Sequence, residues 1–195
     1  MVSSDILIKV EKHITELFSI KNPPENIYHN LNHTKDVVIA ISLIGKAENL
    51  NSEDLEIALI AGWFHDVGYF ECCDGHEGVS IKCAKSYLES EGISAEKIDK
   101  ILSCIKSTEI PQSPNSLIEQ IICDADLHHL GLPDFEESGS KLRKEIETRE
   151  SKKFTDLEWW KSSLQFYEQH NYFTTFANKE YGLQKKLNVL IIKKK

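Results

Sequence analysis

The segment 55–66, LEIALIAGWFHD, constrains the fold more than any other part of the chain. It is almost wholly apolar over residues 57–64 and then ends abruptly in His65 and Asp66. An apolar run of this kind indicates a helix that is buried on most of its sides. Because a buried charge is costly unless it is paired or bound to a metal, we predict that His65 and Asp66 are adjacent metal ligands.

Apolar residues recur at helical spacing along the remaining chain, and no segment shows the alternation expected of a β-strand. Capping residues, with Ser3 or Ser4 as the first cap, and proline breaks mark the helix ends. The predicted helices cover approximately residues 3–20, 30–48, 52–68, 81–91, 94–107, 116–131, 134–150, 155–170 and 175–192. Residues 69–80 and 107–116 are predicted loops. The sequence therefore predicts an all-α protein, a compact helical bundle with a C-terminal helical extension.

Composition excludes several classes of protein. The 195 residues carry a net charge of −8, which argues against a general nucleic-acid or acidic-membrane binder. The five cysteines form no CxxC pair and suit a reducing compartment. The N-terminus does not resemble a signal peptide, and no apolar run reaches membrane-spanning length. We therefore expect a cytoplasmic protein without nucleic-acid or membrane partners, either a monomer or a homodimer.

Two further side chains extend the predicted metal site. Asp126 follows Ile118 and Ile122 at i, i+4 spacing, so it lies on an inward-facing line of its helix. His33 lies near the start of another predicted helix. Imidazole and carboxylate ligands suit Mn, Fe, Co, Ni or Zn, with Mg as a further candidate. The predicted ligands are His33, His65, Asp66 and Asp126.

The order of these residues, with the words around them, resembles the HD-domain superfamily of metal-dependent phosphohydrolases. It is most similar to a bacterial branch described as predicted metal-dependent HD phosphohydrolases. The motifs that carry the resemblance are YHNLNHT, AGWFHDVGY, HEGVS, Ser107-Thr108, DADLHHLG and LRKE, all within residues 25–150. The resemblance implies one HD domain over residues 1–195. Its core motifs would lie in residues 25–133, with helices in 134–195 packed on the core.

Residue by residue, the resemblance assigns the same four metal ligands. Among these ligands, Asp66 is also a catalytic candidate, because it would touch both the metal and the water and could steer the proton. Glu77, His29 and His76 are further catalytic candidates, for general acid or base catalysis or for phosphate binding. His76 departs from the branch, which usually has asparagine at this position. It could be a second-metal ligand, a proton donor or neither.

Four other motif residues are given structural roles. Asp124 is a candidate hydrogen-bond acceptor behind the metal site, and the pair His128-His129 is expected to be structural. Arg143 is expected to pair with Glu145 or Asp134, with a contact to substrate phosphate as the alternative.

The implied activity is hydrolysis of a phosphate ester of a nucleotide or another small phosphorylated metabolite by metal-activated water. The chain contains no P-loop, no GxGxxG and no GxSxG motif, so ATP-driven and covalent serine chemistry are not expected. Two alternatives remain open. One is a non-catalytic metal- or nucleotide-binding HD module, and the other is a dinuclear HD phosphodiesterase or oxygenase.

Overall fold

The computed structural model describes residues 4–195, so Ser3, the alternative first cap, lies outside the described part of the chain. Within these residues the chain is helical and contains no strand, which confirms the all-α prediction. The helices are α1 (Asp5–Lys21), α2 (Leu31–Ala47), α3 (Ser52–Phe64), α4 (His76–Ser90), α5 (Ala95–Ser107), α6 (Leu117–Asp126), α7 (Phe135–Arg149), α8 (Asp156–Gln169) and α9 (Thr175–Ile192). Short 3-10 turns follow α3 at Val67–Phe70 and α6 at His128–Gly131.

Helix α3 lies at the centre of the main core, as its composition predicts. All of its residues from Leu55 to Phe64 are buried, and α1, α2, α4, α5 and α6 pack around it. The only charged residue in this buried stretch, Glu56, is neutralised by a hydrogen-bonded ion pair with Lys97 of α5. The end of α3 therefore delivers His65 and Asp66 to the interior of the helical bundle.

Three element boundaries differ from the predictions by four or more residues. Helix α3 ends at Phe64, where the prediction continued to residue 68. Helix α4 begins at His76, inside the predicted loop 69–80, because Gly75 takes a left-handed conformation with φ of 71° and starts the helix there. Helix α6 ends at Asp126, where the prediction continued to residue 131. Separate 3-10 turns follow α3 and α6. All three boundaries lie at the candidate site.

The C-terminal helices contact the core through buried polar groups as well as apolar ones. The buried carboxylate of Asp124 accepts hydrogen bonds from the backbone N–H groups of Phe173 and Thr174, each at 2.8 Å. The side chain of Asn188 in α9 donates to the backbone carbonyls of Leu130 and Leu132. These bonds hold the segment between α8 and α9, and α9 itself, against the end of α6.

Apolar residues form a second core between the two parts of the chain. Its buried members are Leu127, Leu130, Phe135, Tyr167 and Ile192. They come from the turn after α6 and from α7, α8 and α9, so the helices after residue 134 close over the end of α6. None of the helices in residues 4–195 has the length and hydropathy required to cross a bilayer.

Candidate metal centre

Three helices bring the four predicted ligands to one point. His33 comes from the first turn of α2, His65 and Asp66 follow the end of α3, and Asp126 ends α6. One ligand atom from each of the four lies within 4.8 Å of all the others. Nε2 of His33 is 3.2 Å from Oδ2 of Asp66 and 3.3 Å from Oδ1 of Asp126. Nε2 of His65 is 3.1 and 3.5 Å from the same two oxygens.

The atoms at this point fit a divalent cation. Nε2 of His33, Nε2 of His65 and Oδ2 of Asp66 are buried, and none of them has a hydrogen-bond partner. Buried polar atoms are nearly always satisfied, so three unsatisfied atoms facing one another require a common partner. Two imidazole nitrogens and two carboxylates are a suitable donor set for first-row transition metals. The His/Asp cluster could therefore hold a metal ion.

Local contacts fix how two of the ligands are presented. Nδ1 of His65 lies 2.8 Å from the carbonyl oxygen of Gly62, and since a carbonyl only accepts, Nδ1 carries the proton. Nε2 then keeps its lone pair for a metal. His33 is placed by the cap of α2, where the Asn30 side chain accepts hydrogen bonds from the backbone N–H groups of Asn32 and His33.

Without a cation, the cluster holds protons. Burial alone would lower the pKa of His33, but the carboxylates of Asp126 and Asp66 outweigh burial and raise this pKa to about 9. The same two carboxylates outweigh burial at His65 and raise its pKa. Burial raises the pKa of Asp66, yet the histidines, His65 first, overcome this effect and lower it. Protons and a metal therefore compete for the same atoms.

His76 and Glu77 lie beside Asp66, at the start of α4. Nδ1 of His76 donates to the carbonyl oxygen of Cys73 at 2.9 Å. Its Nε2 is 3.4 Å from Oδ1 of Asp66 and 3.5 Å from Oε1 of Glu77. Asp66 thus presents one oxygen to the cluster and the other to His76.

Gly68 allows this arrangement through a close approach of two backbone segments. A Cβ atom at Gly68 would lie 2.0 Å from the carbonyl oxygen of His76. The Gly68 N–H donates to Oγ of Ser80 at 2.9 Å, which fixes the turn after α3 against α4.

His29 also lies near the cluster, and its ring is hydrogen-bonded to the carboxylate of Glu145. The Glu145 carboxylate accepts a hydrogen bond from the His29 ring and bonds from the backbone N–H groups of Tyr28 and His29, at 2.7 and 2.9 Å. The His29 ring stacks on the Tyr69 ring, with 3.7 Å between the ring centroids. The centroid of the His76 ring lies 4.0 Å from that of Tyr69. His29 and His76 are therefore neighbours around Tyr69, outside the four-residue cluster.

The structure corrects the predicted partner of Arg143. Its guanidinium bonds to Glu147, 3.1 Å away, to Asp156, 2.7 Å away, and to the carbonyl oxygen of Phe154. It contacts neither Glu145 nor Asp134, and it does not line the cavity. Glu147 lies one turn further along α7 at i, i+4 spacing. Phe154 and Asp156 reach Arg143 because the chain reverses after α7, which the spacing of the motif does not reveal.

The cluster adjoins a cavity of about 380 Å³, within the ~300–1,000 Å³ usual for ligand sites, through Asp66 and Asp126, which line it. Its walls also include His29, His76 and Glu77, together with Thr108 of the Ser-Thr motif. Helices α7 and α8 contribute further wall residues, which include Leu142, Ser163 and Phe166.

Two further residues line this cavity. Tyr28 was assigned no role from the sequence, and His129 was expected to be structural; the Tyr28 hydroxyl lies 3.0 Å from Nδ1 of His129. Burial lowers the pKa of His129 to about 3, so this imidazole is neutral at pH 7. Both residues lie in the quoted motifs YHNLNHT and DADLHHLG, which is the signal that could have found them.

Comparison with known proteins identifies the family. The family model for the HD domain matches residues 30–131. The fold is similar to a crystal structure of a predicted HD superfamily hydrolase from an uncultured Thermotogales bacterium, at 19% identity over 96% of this chain and 90% of that one, with a TM-score of 0.64. A crystal structure of a Lactobacillus plantarum protein is similar at 14% identity over 100% and 96% of the two chains, with a TM-score of 0.71. No curated protein matches the sequence. The matched segment contains all four residues of the cluster, and the chain belongs to the HD domain family.

Proposed function

We propose that this protein is a metal-dependent phosphohydrolase that acts on a phosphate ester of a nucleotide or another small phosphorylated metabolite. One observation carries the proposal: three buried, unsatisfied ligand atoms converge beside a cavity large enough for a metabolite, which Asp66 and Asp126 of the same cluster line. In this proposal, His33, His65, Asp66 and Asp126 hold the metal. The description of the Thermotogales relative as a predicted HD superfamily hydrolase supports the same class of activity.

A bound divalent metal would lower the pKa of a water molecule and polarise a phosphoryl oxygen. During hydrolysis, the bond between phosphorus and the ester oxygen breaks, the water oxygen bonds to phosphorus, and the alcohol leaves with a proton. Asp66 adjoins both the cluster and His76, so its second oxygen is placed to orient the water. His76, Glu77 and His29 are the residues placed to hold or donate a proton on the substrate side.

The first test compares wild type with His65→Ala by elemental analysis and by metal-dependent phosphate release. We expect about one transition metal per wild-type chain, and loss of both the metal and phosphate release in the variant. A His13→Gln variant is the matched control, because His13 stacks on Tyr87 away from the cluster. Phosphate release that persists without metal would contradict the proposal.

The same experiment separates the alternatives. Two metals per chain would favour the dinuclear phosphodiesterase or oxygenase, since Oδ1 of Asp66 faces His76 on the side away from the cluster. Ligand binding without hydrolysis of any substrate would favour the non-catalytic binding module.

A further inference from the structure

The wall that α7 and α8 contribute to the cavity lies outside the segment that matches the HD family. The family match ends at residue 131, whereas Ser138, Leu142, Trp159, Ser163 and Phe166 all line the cavity. The metal cluster, His76 and Glu77 come from the matched segment. A substrate whose phosphate binds the metal would contact, with its remaining part, this wall outside the matched segment, which we call the distal wall.

This distal wall is apolar and aromatic, with hydroxyl groups as its polar component. Trp159, Phe166 and Leu142 contribute rings and aliphatic carbon, while Ser138 and Ser163 contribute hydroxyls. Apolar pockets with a few polar groups are typical sites for the organic part of a ligand. Aromatic side chains in such a wall favour a flat or apolar body.

The charges of the cavity are unsuited to several phosphate groups. Among the residues that line it in the described chain 4–195, there is no lysine or arginine, but there are three carboxylates, Asp66, Glu77 and Asp126. The histidines offer little spare positive charge, because His29 is paired with Glu145 and His76 lies beside Asp66 and Glu77. Asp66 and Asp126 would bind the metal, so Glu77 is the carboxylate left free. A phosphate group that is not bound to the metal would thus meet Glu77 and find no lysine or arginine among these lining residues.

A smaller adjoining cavity of about 150 Å³ is also lined mainly by apolar and uncharged polar residues. It shares Ile110, Leu127 and Phe166 with the main cavity. The described residues that line it include no aspartate, glutamate, lysine or arginine. Its polar residues include Gln112 and His170, and both nitrogens of the buried His170 ring lack hydrogen-bond partners. The described residues that line these two cavities therefore include no lysine or arginine.

Resting on the phosphohydrolase function proposed above, we propose a substrate class for this cavity. The substrate is a phosphomonoester with one phosphate group, whose alcohol part is an uncharged aromatic or otherwise apolar body that packs against α7 and α8. Nucleoside di- and triphosphates, and phosphate esters with a second anionic group, are poor substrates. Hydrolysis gives inorganic phosphate and the free alcohol.

The test measures kcat/KM of the metal-loaded full-length protein on two matched series. The first is adenosine mono-, di- and triphosphate, and the second is phenyl phosphate beside 4-carboxyphenyl phosphate, whose leaving groups are similar. We expect adenosine monophosphate and phenyl phosphate to exceed their more highly charged counterparts by about 10–200-fold, the range that lost or mismatched pocket contacts produce. Equal kcat/KM for mono- and triphosphate would overturn the proposal.

A gain-of-function variant tests whether the preference for monophosphates comes from the lack of a cationic side chain in the wall formed by α7 and α8. Ser163→Lys places a cation in the distal wall and should narrow the ratio of mono- to triphosphate hydrolysis by about tenfold, the effect of one charge-assisted hydrogen bond. Gln165→Lys is the matched control, since Gln165 is exposed on the same helix and does not line the cavity. A similar change of the ratio in both variants would contradict the role of the wall.

Binding separates failure of the substrate class from failure of the proposed reaction. Titration calorimetry compares benzylphosphonate with the non-hydrolysable methylene analogue of adenosine triphosphate on the metal-loaded protein. Preferential binding of the phosphonate without hydrolysis of any ester would refute the phosphohydrolase function and retain the ligand class. Hydrolysis with preferred binding of the triphosphate analogue would refute the ligand class and retain the function. Absence of both binding and hydrolysis would refute both.

Discussion

Among the single residues, Glu145 connects α7 to the segment before α2, where His29 lines the cavity. Its carboxylate is 2% exposed and accepts hydrogen bonds from the His29 ring and from two backbone N–H groups. Burial alone would raise the pKa of Glu145, but these bonds, that of the His29 side chain first, outweigh burial and lower it. Glu145 therefore positions His29, and its negative charge is stabilised only in the folded protein.

We predict that Glu145→Gln lowers the free energy of unfolding at pH 7 by about 1–3 kcal/mol, the contribution of hydrogen bonds to a charged group. Because the folded pKa lies below the unfolded value of about 4.3, this contribution is present above that value. It is lost as the pH falls through the folded pKa. Urea denaturation of both proteins from pH 7 to pH 3 measures the difference, which should shrink on acidification.

The control for this prediction is Glu150→Gln. Glu150 follows the same helix, is exposed, and should give no pH-dependent difference. A constant difference between wild type and Glu145→Gln at every pH would show that the loss comes from packing and not from the charge.

The sequence predicted the identity of the cluster residues better than the identity of their neighbours. A buried apolar helix that ends in His65-Asp66 requires a partner for these two polar side chains. His33 and Asp126 do lie beside them. Their role as ligands remains a prediction. The partner of Arg143 was wrong because Asp156 reaches it only through the chain reversal between α7 and α8. No local periodicity records such a contact.

At the scale of elements, the position of α4 depends on Gly68. We predict that Gly68→Ala destabilises the protein by about 1–3 kcal/mol, because its Cβ would overlap the backbone carbonyl of His76 and push the start of α4 away. Gly78→Ala is the matched control inside α4, where a Cβ meets no atom within 4 Å. It should stabilise the helix by up to about 1 kcal/mol. Urea denaturation of both variants checks the opposite signs.

Asp124 links α6 to the segment before α9. We predict that Asp124→Ala lowers the free energy of unfolding by about 2–3 kcal/mol, because the N–H groups of Phe173 and Thr174 lose a charged acceptor. Hydrogen exchange of residues 171–174 should accelerate as well. Asp99→Ala, an exposed change in α5, serves as the control. Unchanged exchange in Asp124→Ala would refute the link.

Helix existence was more predictable than helix ends. The last helix was predicted at 175–192 and is Thr175–Ile192, because Thr174 accepts a capping hydrogen bond from Ala177 as a local pattern allows. The start of α4 was missed because His76 is held by Cys73 and faces Asp66, contacts that a glycine-containing segment does not reveal. Tertiary contacts thus set the boundary that matters most for the site.

At the scale of the whole molecule, two parts of the chain build one cavity. The helical pattern predicted both the core helices and the C-terminal helices. It could not predict that Trp159 and Phe166 would line the same cavity as Asp126, because that depends on how α7 and α8 pack on the turn after α6. The substrate side of the site is therefore the part least accessible to sequence reasoning.

The metal cluster also has a consequence for global stability. Its residues come from α2, α3 and α6, so a cation that binds all four connects three helices that separate on unfolding. A ligand that binds only the folded state stabilises it by about 2.7 kcal/mol at a hundredfold excess over its Kd. For a chain of this length, that corresponds to a rise in Tm of about 5–10 °C.

We predict that a chelator lowers the Tm of the wild-type protein and that a transition metal restores it. Protons held by His33 and His65 compete with the metal, so the restored Tm should require more metal at pH 6 than at pH 8. The His65→Ala variant should lose the metal-dependent change in Tm, whereas His13→Gln should keep it. Differential scanning fluorimetry across a metal titration measures both. An equal rise in His65→Ala would place the stabilising metal elsewhere, because a site without this imidazole could not connect α3 to α2 and α6 in the same way.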